Sequence, residues 1–324
     1  MTVTLDPAVK ELLARSVPSE APAGPLTAPE LRAAFAASWR RPESVEEVAS
    51  VTDHVLPSGV RVRIYLPEAA EPVPAFAWIH GGGWTIGSID ENEVASRAVC
   101  NAAKVAVVAV DYRLAPEHPY PAAPDDCYAV VDWLATGGAG PAVDGTRIAI
   151  GGESAGGNLS TVVSMMSRDR GGPPLAAQVL ICPVYGHPDD GFRSYADFAE
   201  GFGMTAGAMR FFFEQYVSDP AQLNDPYLLP LRADDLTGLP PALVLTAEYD
   251  VLRDEGEEFA RRLTDAGTHV EMTRYSGQIH GFYGLYTDLP ASPRSHRHVA
   301  SFLTRVFDRR VQSSGGGRPD RVLG

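Results

Sequence analysis

Six short apolar runs punctuate this chain: Pro74–Ile79, Val105–Val110, Arg147–Gly151, Ala177–Ile181, Ala242–Thr246 and His269–Tyr275. Most are continuous rather than alternating, the pattern of strands buried on both faces of a parallel sheet. Helical stretches lie between most of them. Ahead of them, Glu47–Leu56 and Val60–Leu66 flank Pro57-Ser58-Gly59, a hairpin signal. The fold expected is therefore α/β: an antiparallel hairpin leading into a doubly wound, mostly parallel sheet of eight strands. Asp254-Glu255-Gly256-Glu257 opens one helix with a capping box in which Asp254 is the cap, and Gly267 closes it.

Three segments fall outside the alternation. The first fifty residues read as two amphipathic helices, Pro7–Arg15 and Ala28–Arg40, joined by a Pro/Ala-rich link at Ser16–Pro29. Between Val184 and Tyr227 no good strand occurs, yet ten of the chain's 28 aromatic residues sit there. A lid over an apolar site and a helical core packed on itself both fit that density. The end of the chain, from Val311 to Gly324, carries Ser313-Ser314-Gly315-Gly316-Gly317 and reads as a disordered tail.

Charge and composition exclude several functions. The net charge of −14 repels phosphate backbones and anionic lipid, so neither nucleic acid nor a membrane surface is an expected partner. No apolar run approaches the eighteen or so residues of a membrane span. Met1–Lys10 has neither the charged start nor the apolar stretch of a signal peptide, and a cytoplasmic location is the expectation. The lysines are Lys10 and Lys104, and neither lies in a motif, which argues against Schiff-base or Ser-Lys chemistry. Cys100, Cys127 and Cys182 fit no metal or disulfide spacing and are expected as buried free thiols. No cofactor and no metal is expected.

Gly152-Glu153-Ser154-Ala155-Gly156 matches G-x-S-x-G in the right context, after the strand Arg147–Gly151 and before the helical run Asn158–Arg168. Chemistry at a serine needs such a sharp strand-to-helix turn, with glycines leaving room for strained dihedrals and close packing. A Gly-rich phosphate loop is the rival, but the Lys of a Walker sequence is missing. His80-Gly81-Gly82-Gly83-Trp84 follows another strand, and three glycines can aim backbone N–H groups at one point, as a developing oxyanion requires. Gly82, Gly83 and Ala155 are the candidate donors. His80 itself reads as structural.

A serine hydroxyl needs a base, and the base needs a carboxylate to orient it, in the chain order Ser, acid, His. His187, His269, His280, His296 and His298 follow Ser154. Of these, His280 follows the last strand in a loop, at the end of the sheet where ligands gather. Asp250 directly follows the strand Ala242–Thr246, with Glu248 a weaker rival. Turnover should then fall as His280 is protonated, near or below its unperturbed value of about 6.5. Asp111-Tyr112-Arg113-Leu114-Ala115-Pro116-Glu117 suggests a local salt-bridge network holding a turn, to which Glu153 could also belong unless it is simply solvated. The sequon Asn158-Leu159-Ser160 lies in the helix after Ser154 and is read as accidental.

With these residues in hand, the chain resembles the hormone-sensitive-lipase family of α/β-hydrolase carboxylesterases from about Val60 to Phe307. The resemblance rests on His80–Trp84, Asp111–Glu117, Gly152–Gly157, Ala199-Glu200-Gly201, Asp250–Gly256 and His280-Gly281-Phe282. It implies an α/β-hydrolase fold, with Ser154, Asp250 and His280 as catalytic triad and Gly82, Gly83 and Ala155 as oxyanion hole. It implies a catalytic core at 51–183 and 226–311, a cap made of 1–50 and the insertion 184–225, and a tail at 312–324. Where the family often has Asp or Thr before the serine, this chain has Glu153, whose longer side chain could alter the support of the His280 loop. The implied activity is hydrolysis of short-to-medium-chain carboxylic esters through an acyl-enzyme. The triad would equally serve an amidase, an arylacetamide deacetylase or a lactone hydrolase, because pocket shape decides the leaving group. A non-catalytic small-molecule receptor on the same scaffold is the rival from another class. The expected partner is a small ester substrate, and pairing with a second copy is left open.

Overall fold

The apolar runs assemble into one sheet of eight strands in this computed structural model, which describes residues 4–15, 26–39, 44–284 and 289–314. In chain order the strands are β1 (Ser50–Val55), β2 (Arg61–Leu66), β3 (Val73–Ile79), β4 (Ala106–Asp111), β5 (Val143–Glu153), β6 (Leu175–Ile181), β7 (Ala242–Tyr249) and β8 (Val270–Ile279). Their order across the sheet is β1-β2-β4-β3-β5-β6-β7-β8. The β1–β2 and β2–β4 pairs are antiparallel, and every later pair is parallel. Continuous burial of β3 and β6 on both faces explains why their sequences do not alternate, whereas β1 is an exposed edge strand.

Helices cover both faces. They are α1 (Pro7–Arg15), α2 (Ala28–Ser38), α3 (Glu93–Ala103), α4 (Ala122–Ala135), α5 (Ala155–Asp169), α6 (Arg193–Asp197), α7 (Ala206–Tyr216), α8 (Arg253–Asp265) and α9 (Ala291–Ser314). Most of the expected link at 16–29 lies outside the described residues. The tail expected from 312 begins within α9, and its remainder, 315–324, also lies outside them. Among the described residues no helix is long and apolar enough to cross a membrane.

Two local expectations are corrected. The capping box at Asp254 does not form: the N-cap of α8 is Leu252, with no side-chain cap bond. Asp254 instead accepts from the Ser194 N–H at 2.9 Å and from Arg253, because the segment holding α6 packs against that end of α8. The last strand also runs further than expected. The expected strand stops at Tyr275, yet β8 carries on through Ser276 and Gly277 with a register shift and pairs Ile279 with Tyr249. Glu248 anchors the irregularity by accepting from the Gly277 N–H at 2.7 Å.

The aromatics of 184–227 do not form a core of their own. Tyr195, Phe198, Phe212, Phe213 and Tyr216 join the main hydrophobic core that contains β3 and β4. Trp84 is fully buried and stacks on Tyr216 with ring centroids 4.4 Å apart, a contact worth about 0.5–1.5 kcal/mol beyond its burial. Asn158 is buried and donates to the carbonyls of Val184 and Leu228, so the sequon is spent on packing.

Candidate active site

Strand β5 ends at Glu153 and helix α5 begins at Ala155, leaving Ser154 as the single hinge. Its backbone is left-handed, φ 58° and ψ −121°, a conformation that costs a non-glycine residue about 1–3 kcal/mol. Close packing holds it there. A Cβ on Gly156 would meet the Ile79 carbonyl oxygen at 2.0 Å, so only glycine lets α5 approach β3 so nearly. The Ser154 N–H donates to Ile181 O at 2.8 Å, locking the hinge to β6. Helix α5, buried from Ala155 to Ser167, points its free N–H groups at this turn, where they favour negative charge.

Asp250 follows β7 and His280 follows β8, so adjacent parallel strands deliver both side chains to the same end of the sheet as Ser154. The His280 Nδ1–H donates to Asp250 Oδ2 at 2.8 Å, and the Leu252 N–H donates to Oδ1 at 3.0 Å. Asp250 is 1 % exposed and His280 8 %, so their bond is shielded from water. The other histidines that follow Ser154 in the chain, His187, His269, His296 and His298, lie elsewhere: His296, for example, is buried against Tyr283 O and held down to about 4, chiefly by burial.

The turn after β3 is left-handed at Gly82 (φ 113°), Gly83 (φ 56°) and Trp84 (φ 56°). It is braced by Thr85 and Ile86 N–H groups donating to Gly82 O and by the Thr85 hydroxyl donating to Gly83 O. A Cβ on Gly83 would sit 2.2 Å from the Phe212 ring, so α7 packs directly on this turn. His80 is buried and stacked on Tyr112, with its Nδ1–H donating to Gly81 O.

Ser154 and His280 share the wall of a cavity of about 110 Å³ with His80, Gly81 and Gly82. Asp250 lies behind His280, and neither Gly83 nor Ala155 lines the cavity. Phe35 from α2, Ile86, Met204 and Phe212 supply apolar wall, while Glu91, Asn92 and Glu153 supply a polar one. No motif announced Phe35 or Met204. They are ordinary apolar residues made significant by where their segments lie.

Electrostatics within the cavity are set by burial. Glu153 is neither in the Asp111–Glu117 network nor in solvent. It is buried, and burial pushes it up to about 7 against the charge of His280 and the backbone N–H groups of Tyr283 and Gly284. Burial opposes charge on His280 too, but the charge and hydrogen bond of Asp250, helped by Glu153, outweigh it and leave the imidazole raised. Its protonation therefore lies above the unperturbed value, where sequence alone suggested near or below. The Asp111–Glu117 segment is also held from outside rather than by itself: Asp111 pairs with Arg61, Arg113 with Asp126 and Glu117 with Arg32. Cys100, Cys127 and Cys182 are buried free thiols, and Cys182 lies beside Asp250 and His280.

A family with the α/β-hydrolase fold matches residues 76–284. The chain is 41% identical over 247 residues to the carboxylic ester hydrolase LipN of Mycobacterium tuberculosis, covering 73% of this chain and 65% of that one. It is 34% identical over 296 residues to an arylesterase of Saccharolobus solfataricus, covering 91% and 86%. An ester hydrolase from the metagenome of Lake Arreo superposes with a TM-score of 0.88 at 36% identity, over 94% of this chain and all of that one.

Proposed function

The chain belongs to the hormone-sensitive-lipase-like esterases of the α/β-hydrolase fold, and on that premise we propose that Ser154, His280 and Asp250 carry the hydrolysis of small, fairly apolar carboxylic esters. One observation carries the assignment: His280 bonds to a buried Asp250 through Nδ1 and shares a cavity wall with Ser154. The Nδ1–H bond leaves Nε2 as the basic nitrogen. Ser154 Oγ attacks the ester carbonyl as His280 Nε2 takes its proton, and Asp250 stabilises the imidazolium that forms. Backbone N–H groups of Gly82, Gly83 and Ala155 receive the oxyanion. Collapse expels the alcohol with the proton from His280 and leaves an acyl-Ser154. Water, deprotonated by the same imidazole, then attacks the acyl carbon, and collapse returns that proton from His280 to Ser154 Oγ as the acid departs.

The cavity of about 110 Å³ is small beside the roughly 300–1,000 Å³ of drug-sized pockets, which favours short acyl chains. Residues 1–50 and 184–225 act as the cap in this reading, supported by Phe35, Met204 and Phe212 in the cavity wall. Cytoplasmic action belongs to the same reading, supported by three free thiols of the kind a reducing compartment preserves. Initial rates on p-nitrophenyl esters of increasing acyl length, with organophosphonate labelling and peptide mapping, test it. Label on Ser154 and inactive Ser154→Ala are expected; equal turnover by wild type and Ser154→Ala refutes it.

A further inference from the structure

Cys182 is the first residue beyond β6, the strand between β5 and β7 in the sheet. Its Sγ, a carboxylate oxygen of Asp250 and a ring nitrogen of His280 all lie within 4.8 Å of one another, and all three residues are buried. The backbone at Cys182 is left-handed, φ 43°, and its N–H is fixed to Leu245 O at 2.7 Å. A cysteine is thus held in a conformation that disfavours side chains, at the one strand end that lies between the serine turn and the carboxylate. Asp250 Oδ1 accepts from the Leu252 N–H and Oδ2 from His280, and two carboxylate oxygens have room for a third donor.

We propose that Cys182 is a positioning residue for ester hydrolysis: its S–H donates to the Asp250 carboxylate, fixes that group against His280 and tempers its pull on the imidazole. The inference rests on the reading of Ser154, His280 and Asp250 given above. Burial, with the charges of Asp250 and Glu153, pushes the thiol well above its ordinary value, so it keeps the proton it donates. The other titratable groups facing this cluster are Glu153 at the end of β5, Glu255 on α8 and Tyr195 on α6. None is altered in the test. A donor to Asp250 disperses its negative charge, so losing the donor strengthens its hold on protonated His280 and moves the acid limb of activity to higher pH.

The experiment compares pH profiles of kcat/KM for wild type, Cys182→Ala, Cys182→Val and Cys182→Ser. The first two lack a donor and guard each other: Val fills the void that Ala leaves, and Ala avoids the β-branch that φ 43° disfavours. Ser keeps an O–H at that place. The acid limb of Ala and Val should rise by roughly half a pH unit, with kcat down severalfold and KM within about twofold, and Ser should lie near wild type. A Val or Ala limb that superposes on wild type overturns the proposal, as does a Ser limb displaced as far as Val's. Ser154→Ala run alongside separates the two levels. If it retains turnover, the site reading falls and this inference with it. If it is inactive while the Val limb stays in place, the inference alone falls.

Discussion

Arg32 and Glu117 lie 85 positions apart in sequence and form a forked ion pair, Nη1 to Oε1 at 2.9 Å and Nη2 to Oε2 at 2.5 Å. The same guanidinium donates through Nε to Thr85 O and through Nη2 to Ala115 O, both at 2.6 Å. One side chain therefore ties α2 to the segment after the Gly82–Gly83 turn. Phe35, one helical turn further along α2, lines the cavity.

Arg32→Ala should loosen that wall without touching the reacting groups. The exposed ion pair is worth no more than about 1 kcal/mol by itself, so the larger effect comes from the two carbonyl bonds. KM for p-nitrophenyl butyrate should rise about three- to tenfold with kcat within about twofold, since each 1.4 kcal/mol is a factor of ten. Steady-state kinetics decide; an unchanged KM removes α2 from the substrate wall.

The pH profile follows from the raised imidazole. Activity needs neutral His280, so kcat/KM should fall as pH drops through a value above about 6.5. The linkage to stability has the opposite sense. A histidine raised in the folded state stabilises fully below its unfolded value, and that contribution is lost as pH rises through the folded one. A half-point at or below about 6 contradicts the assignment of His280 as base.

Glu153→Gln should act on the same limb and on stability at once. Removing a nearby negative charge lowers the imidazole, so the acid limb should move down by a few tenths of a unit. Glu153 is raised from 4.5 to about 7, so the folded state prefers its proton and wild type loses stability as pH rises across that interval. The variant carries no such cost. It should gain about 1–3 kcal/mol over wild type at pH 8 relative to their difference at pH 4, read from denaturant titrations at the two pH values. A difference that does not vary with pH rules this account out.

Gly156→Ala places a methyl 2.0 Å from Ile79 O and must displace backbone on one side or the other. A stability loss of about 3 kcal/mol or more is expected, at the upper end for overpacking, together with a fall in kcat/KM of about a hundredfold. Gly207→Ala on α7 is the contrast, because its Cβ meets only Thr205 Oγ1 at 3.8 Å. It should be neutral or gain up to about 1 kcal/mol. Thermal melts of both variants, with activity, test the packing of the serine turn.

Phe212→Leu should lengthen the acyl chain accepted. The ring lines the cavity and covers Gly83, and its loss opens the wall that faces the reacting carbonyl. One or two added methylenes are worth about 1–3 kcal/mol each in such a pocket, so the ratio of octanoate to butyrate turnover should rise roughly tenfold. If the ratio is unchanged, Phe212 does not limit chain length.

The strands were legible because their composition answers to burial on two faces, a demand each run meets locally. Ser154 was legible for a related reason: Gly152, Gly156 and the flanking strand and helix all serve one tight turn. Asp250 and His280 could be selected by chain order together with their places directly after predicted strands. Their 2.8 Å bond could not, because it depends on the register that aligns Tyr249 with Ile279 across a bulge.

What the sequence determined by itself is the alternation of strand and helix and the placing of chemistry-bearing residues at strand ends, since both follow from backbone sterics and hydrophobic periodicity. Tertiary structure alone decided that Phe35 and Phe212 meet over one cavity, that Glu153 turns to the backbone of Tyr283 and Gly284, and that Cys182 comes to rest beside Asp250. Those contacts join residues tens to hundreds of positions apart. Their protonation and packing depend on water excluded by neighbours that no local pattern names.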